Sequence, residues 1–212
     1  MDKQEKFSII DNFKDFGIDM SETALDSFLE DGIIKEIPII NLIFASFKTG
    51  KQVIDYVYLK KLAAFMFGYE KALPKRMDER ILKIIKNPAK LKGLGEDIML
   101  IIDKADKIAK AELHGKIFKL YWYDEIPPKI FLRLCHMINN SYYDDLLFLN
   151  NFTDDNTRIT SYNKLIEETI IDGLFSSGWL SNFGIAGGDD SGGDSGTIYG
   201  LNEYSKILKR VL

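Results

Sequence analysis

The sequence predicts a mainly α protein, a helical bundle with a small two-stranded β-hairpin near the C-terminus. Three observations carry this. Apolar residues recur at helical spacing from Ile37 to Leu149, in segments parted by short joints rich in Gly, Pro and Asn. The two runs that read as strands both lie in the last fifty residues, on either side of a Gly/Asp/Ser stretch. Of the 212 residues, 46% are hydrophobic, enough for a globular core and too many for a disordered chain.

Taken in order, Ser21 caps a short helix with Ala24, Leu25, Phe28 and Leu29 on one side, ending near Asp31-Gly32. Pro38 is suited to the first position of a helix that reads IPIINLIFASFK, apolar nearly all round and stopped by Gly50. Lys51 to Phe67 forms its hairpin partner. Val53, Ile54, Val57, Leu62, Ala63 and Met66 point inward there, Lys60 and Lys61 point to water, and Gly68 closes the helix. A further helix begins at Pro74 and is broken by Asn87-Pro88. Glu96 to Asp106, Ile108 to Trp122, Pro128 to Ile138 and Ser141 to Leu149 follow as four helices with short joints, as in a compact bundle. Ser161 then caps SYNKLIEETIIDGLF. Candidate strands Gly178 to Phe183 and Thr197 to Leu201 flank GIAGGDDSGGDSG, and Asn202 to Leu212 closes the chain as a helix.

The polar joint at Phe152-Thr153-Asp154-Asp155 divides the chain into a bundle, 1–152, and a C-terminal module, 153–212. The order helix, "GW-L" strand, glycine-rich tip, then TIYGLNEYSKILKRVL resembles the end of bacterial winged-helix domains, in which a T-x-Y-x-L strand runs into a closing helix. The matching residues here are Thr197, Tyr199, Leu201 and Asn202, and the likeness covers about a quarter of the chain. The helical body, with EIPIINLIFASFKTGKQVIDYVYLKKLAAFMFGYEK and KAELHGKIFKLYWYDEI, is similar to small uncharacterised bacterial proteins, a resemblance that brings no activity with it.

Composition narrows the class. One thiol, Cys135, cannot form an intramolecular disulfide, and the N-terminus has no unbroken apolar signal core, so a reducing cytoplasm is the expected compartment. No run approaches the roughly 18 apolar residues of a spanning helix. The net charge of −4 is segregated. Residues 1–31 carry 3 lysines against 9 acids, residues 32–120 carry 18 bases against 10 acids, and residues 121–212 carry 7 against 13. Within the basic middle, Lys48 to Lys92 holds 12 bases and 4 acids. Such a block faces an anionic partner or the acidic remainder of its own protein.

No set of residues spells catalysis. Cys135 and His136 adjoin on one helix, where neighbours point about 100° apart, and the only other histidine is His114, so neither a Cys-His dyad nor a closed zinc site has its complement. The acidic pairs Asp103/Asp106 and Asp144/Asp145 are explained by capping or ion pairing. GGDDSGGDSG departs from the EF-hand spacing and is a single copy, so it reads as a solvated tip rather than a calcium site. KLKGLGEDI lacks the Lys-Ser/Thr of a phosphate loop. The expectation is therefore no catalytic residue, no metal and no cofactor.

Three functional readings remain. The first is a non-enzymatic interaction or regulatory protein whose acidic winged-helix module contacts a protein partner or another copy through Glu167, Glu168, Asp172, Asp189, Asp190 and Asp194. The second is a peripheral protein of the inner membrane surface, such as a phage-defence effector. It would rest residues 37–92 on anionic lipid through Lys48, Lys51, Lys60, Lys61, Lys75, Arg76, Arg80, Lys83 and Lys86, each such base being worth ~1 kcal/mol. In the opposing reading, Ile39 to Phe47 is a buried central helix and these bases are its solvated neighbours. The third is a DNA-binding regulator using the same basic block. The module itself is unsuited to DNA, because its second helix and tip would set carboxylates against phosphates.

Overall fold

The computed structural model describes residues 56–70, 83, 86–152, 158–159, 165–187 and 196–212. Among these, seven α-helices run in the order α1 (Tyr56–Glu70), α2 (Pro88–Lys104), α3 (Ile108–Trp122), α4 (Pro128–Asn139), α5 (Tyr143–Phe148), α6 (Leu165–Ser176) and α7 (Glu203–Lys209). A 3₁₀ turn, Leu149–Asn151, follows α5. The strands are β1 (Arg158–Ile159), β2 (Leu180–Ala186) and β3 (Gly196–Leu201). The chain divides into two compact units, Met1–Glu125 and Ile126–Leu212. The helices expected at Ser21 to Gly32, Ile37 to Gly50 and from Pro74 lie outside the described residues, Lys83 and Lys86 excepted.

In the first unit, Asn87-Pro88 starts a helix. Asn87 is extended and its Oδ1 accepts from the Lys90 backbone N–H at 3.1 Å, while Pro88, whose missing N–H costs nothing there, occupies the first turn. Thus α2 begins at Pro88 rather than at the expected Glu96, and KLKGLGEDI lies within the helix, with the Lys90 N–H on the Asn87 side chain and the Leu91 N–H on the Asn87 carbonyl. Its buried face is Gly95, Ile98 and Ile102.

Helices α1 and α3 touch backbone to backbone. A Cβ on Gly68 would overlap the Glu112 carbonyl, and a Cβ on Gly115 would overlap the Phe65 carbonyl. Gly68, expected as a helix stop, is instead a contact point inside α1. Leu62, Ala63, Phe65 and Met66 of α1 are buried, whereas Val57, expected inward, is 48% exposed. Phe118 sits at the centre of an aromatic cluster, with ring centroids 5.4 Å from Phe65, 5.7 Å from Tyr69, 5.9 Å from Tyr121 and 5.3 Å from Trp122.

Helix α3 keeps the expected bounds and is buried nearly all round, including Lys110, His114 and Lys119. Lys110 Nζ meets Asp106 at 2.8 Å, and Lys119 Nζ lies 5.5 Å from the Tyr69 ring centroid and 5.9 Å from that of Tyr123. After α3 the backbone turns left-handed at Asp124, φ 61°. The N–H of Asp124 bonds the Tyr121 carbonyl and that of Glu125 the Leu120 carbonyl, a Schellman ending with Asp where Gly is usual. Asp124→Gly should therefore stabilise the protein by about 0.5 kcal/mol, the relief of left-handed strain being partly offset by glycine's greater unfolded-state entropy. Urea denaturation at pH 7 checks this, and no gain in midpoint contradicts it.

The second unit contains α4 to α7 and the sheet. Strands β2 and β3 form an antiparallel hairpin with Leu180 opposite Leu201, Asn182 opposite Tyr199 and Ile185 opposite Thr197; the register shifts between Asn182 and Ile185, a bulge. The two-residue β1, not foreseen in the sequence, pairs with the other side of β3, giving the order β1-β3-β2. Helix α6 ends in a Schellman turn at Gly178, φ 84°, with Gly178 N–H on the Phe175 carbonyl and Trp179 N–H on the Leu174 carbonyl. That turn delivers Trp179, fully buried, to the start of β2. The Trp179 Nε1–H donates to Ser141 Oγ at 2.7 Å, and Ser141 Oγ–H donates to the Met137 carbonyl at 2.8 Å. Asn202 and Ser205 cap α7 reciprocally, Asn202 Nδ2 reaches the Gly178 carbonyl at 2.8 Å, and Lys209 Nζ donates to the Phe152 carbonyl. These bonds tie α4, α5 and the hairpin into one unit, so the compact body begins at Ile126 and not at the polar joint after Phe152.

Candidate functional site

Of the bases proposed for an anionic surface, Lys48, Lys51, Lys75, Arg76 and Arg80 lie outside the described residues. Lys83 and Lys86 are exposed, and Lys60 and Lys61 are half-buried on α1. Lys61, expected to face water, donates from Nζ to the Asp103 carbonyl at 3.0 Å, which turns it back onto its own unit. Burial, with the charge of Asp103 adding to it, pushes the neighbouring Tyr58 phenol well above its ordinary value.

Of the acids proposed for partner contact, Asp189, Asp190 and Asp194 lie outside the described residues, and only the helical position of Glu167 is described. On α6, Glu168 is half-buried and Asp172 exposed. Tyr199 Oη–H donates to Asp172 Oδ1 at 3.4 Å, and the Tyr199 ring centroid is 5.1 Å from that of Phe175, which is 39% exposed. Burial first, then the Asp172 charge and hydrogen bond, raises the Tyr199 phenol above its usual value. Asp145 of α5 lies against the same helix, because a Cβ on Gly173 would come within 3.2 Å of its Oδ2. Burial and the adjacent Asp144 raise its carboxyl. Helix α6 thus carries Asp172 and the exposed Phe175, with Asp145 beside it, and Phe183 and Ile185 of β2 are exposed as well, 60% and 81%. The sequence reading gave these two residues no functional part. Their signal was faint: in the strand run NFGIA the two large apolar residues stand two apart, the pattern of one strand face, which reads equally as a buried face.

Cys135 and His136 do not meet. The thiol is fully buried on α4, where burial raises it far above its ordinary value, and His136 is exposed, its Nε2 2.8 Å from Asn140 Nδ2. A buried neutral thiol is a poor nucleophile. Among the described residues no three His, Cys, Asp or Glu side chains come together as metal ligands, and no helix is long and apolar enough to cross a membrane.

The Lys110–Asp106 pair joins a buried ammonium to a carboxylate that is 61% exposed. Desolvation pulls the Asp106 carboxyl upward, but the hydrogen bond and charge of Lys110, with backbone N–H groups, outweigh it and hold it below its usual value. A depressed folded value means that the pair's stabilisation is complete above the unfolded carboxylate range, about pH 4, and is lost as pH falls through the lower folded value. Asp106→Asn should therefore be less stable than the parent at pH 7 and lose less stability below pH 4, with Lys110→Met recovering the loss at pH 7. Thermal unfolding across pH 2 to 7 measures this; parallel curves for parent and Asp106→Asn would contradict it.

No protein-family model matches the chain, and neither a curated protein nor a solved structure matches it.

Proposed function

We propose that the protein is a non-enzymatic interaction or regulatory protein whose acidic C-terminal module, winged-helix-like in its order of helix, hairpin and helix, makes contacts with a protein partner. The observation that carries this reading is the coincidence of acidic and large exposed apolar side chains on one module: Asp172 and Phe175 on α6, with Phe183 and Ile185 on β2. Contact surfaces use such groups, the aromatic and aliphatic side chains as anchors and the charges as selectors. A nucleic-acid surface needs bases in these positions. The pairing of β1 with β3 beside the hairpin also supports the winged-helix reading, since β3 is then held from both sides.

The test reverses charge on α6, at the half-buried Glu168 and the exposed Asp172. Glu168→Lys with Asp172→Lys should leave the helical circular dichroism unchanged and weaken recovery of the partner, as should deletion of Gly187 to Gly196. Recovery equal to the parent from both folded variants would refute the module as the contact site.

A further inference from the structure

Strand β2 pairs with β3 on one side only, and among the described strands nothing pairs with its outer edge. That edge belongs to a seven-residue strand, LSNFGIA, without a charged residue or a proline. Natural edge strands are blunted by such residues, or by bulges, because unpaired N–H and C=O groups invite another strand. Here a bulge lies between Asn182 and Ile185, where Asn182 Oδ1 accepts from Gly184 N–H at 2.7 Å and Gly184 takes φ 108°, yet Phe183 and Ile185 still stand exposed along the strand. The unit is acidic as a whole: Asp172 reaches the Asn182/Tyr199 pair through Tyr199, and residues 126–212 carry 11 acids against 7 bases.

We infer that β2 accepts, by strand addition along its outer edge, an extended segment of a partner protein in which Lys or Arg flanks a short alternating apolar run. Backbone pairing supplies the docking, Phe183 and Ile185 meet the apolar positions, and the acidity of the unit selects the flanking bases. A second copy fits this edge less well, since pairing two such modules sets acid against acid. The inference rests on the contact-module reading and specifies its partner.

The probe is the peptide KVTVTVK, titrated at low and physiological salt into the ¹⁵N-labelled full chain. Saturable amide shifts along β2 are expected, weaker with salt, absent with KVTPTVK, and absent in the Phe183→Lys/Ile185→Lys variant. Equal shifts with the proline peptide would overturn the inference, leaving only charge attraction. So would no shifts in β2, or self-association through β2 without peptide. If the native partner is recovered normally by Phe183→Lys/Ile185→Lys but lost from Glu168→Lys/Asp172→Lys, strand addition fails while the contact module stands.

Discussion

Gly115→Ala is expected to destabilise the protein by about 2 kcal/mol, although alanine is the better helix former by about 1 kcal/mol. The added methyl would occupy the position of the Phe65 carbonyl on α1, and backbone cannot step aside as a flexible side chain can. Helices α1 and α3 must then separate, which loosens the contacts of Phe118 with Phe65 and Tyr69. Gly68→Ala should behave alike, since its Cβ meets the Glu112 carbonyl. Gly93→Ala provides the control: it lies within α2 with nothing within 4 Å of a Cβ, so only the propensity gain of about 0.5–1 kcal/mol remains. Opposite signs at Gly93 and Gly115 in chemical denaturation are the prediction. Stabilisation at both would mean that α1 and α3 do not pack at these glycines.

The second large effect lies at Trp179. Truncation to Ala should cost roughly 3–5 kcal/mol, a sizeable part of the stability of an ordinary domain, because it opens a cavity in the core of the second unit. Trp179→Phe keeps much of the volume and loses the hydrogen bond to Ser141, for a cost of about 1–2 kcal/mol. Ser141 is itself held by the Met137 carbonyl, so the damage should spread to the end of α4. Hydrogen exchange of Trp179→Phe is expected to rise in Met137 to Ser141 as well as in the hairpin. A rise confined to the hairpin would mean that residues 153–212 form a body independent of α4.

This bears on how much the sequence disclosed. Helix α3 was readable to its ends, Ile108 and Trp122, and the start of α7 was readable because Asn202 is a strong cap, although α7 stops at Lys209 and not at the expected Leu212. The burial of α3 was not readable, since Lys110, His114 and Lys119 look like a wet face until Asp106 and the two tyrosine rings are placed beside them. Gly68 and Asn87-Pro88 misled for a related reason. A glycine that ends a helix and a glycine that admits a neighbouring backbone are identical in one dimension, and so are an Asn-Pro that breaks one helix and one that caps the next. Register with a distant partner decides between them. The joint after Phe152 was legible as polar chain, but the bonds from Trp179 and Lys209 back to Ser141 and Phe152 span 38 and 57 residues and leave no local mark.

The candidate site was half legible. The acidity of the C-terminal module stood in its composition, and Glu168 and Asp172 could be placed on one helix. Phe175, Phe183 and Ile185 emerged only with the structure, because alternation puts Phe183 and Ile185 on one face of the strand without saying whether that face is covered.

The central claim is that the C-terminal unit contacts a protein partner, and cross-linking mass spectrometry of the full chain in its own cells tests it most directly. The account predicts cross-links from the bases of residues 126–212 to one recurring protein, lost in Glu168→Lys/Asp172→Lys. Cross-links to other proteins confined to residues 1–125, or none above background while the purified chain pellets with anionic vesicles, would contradict it.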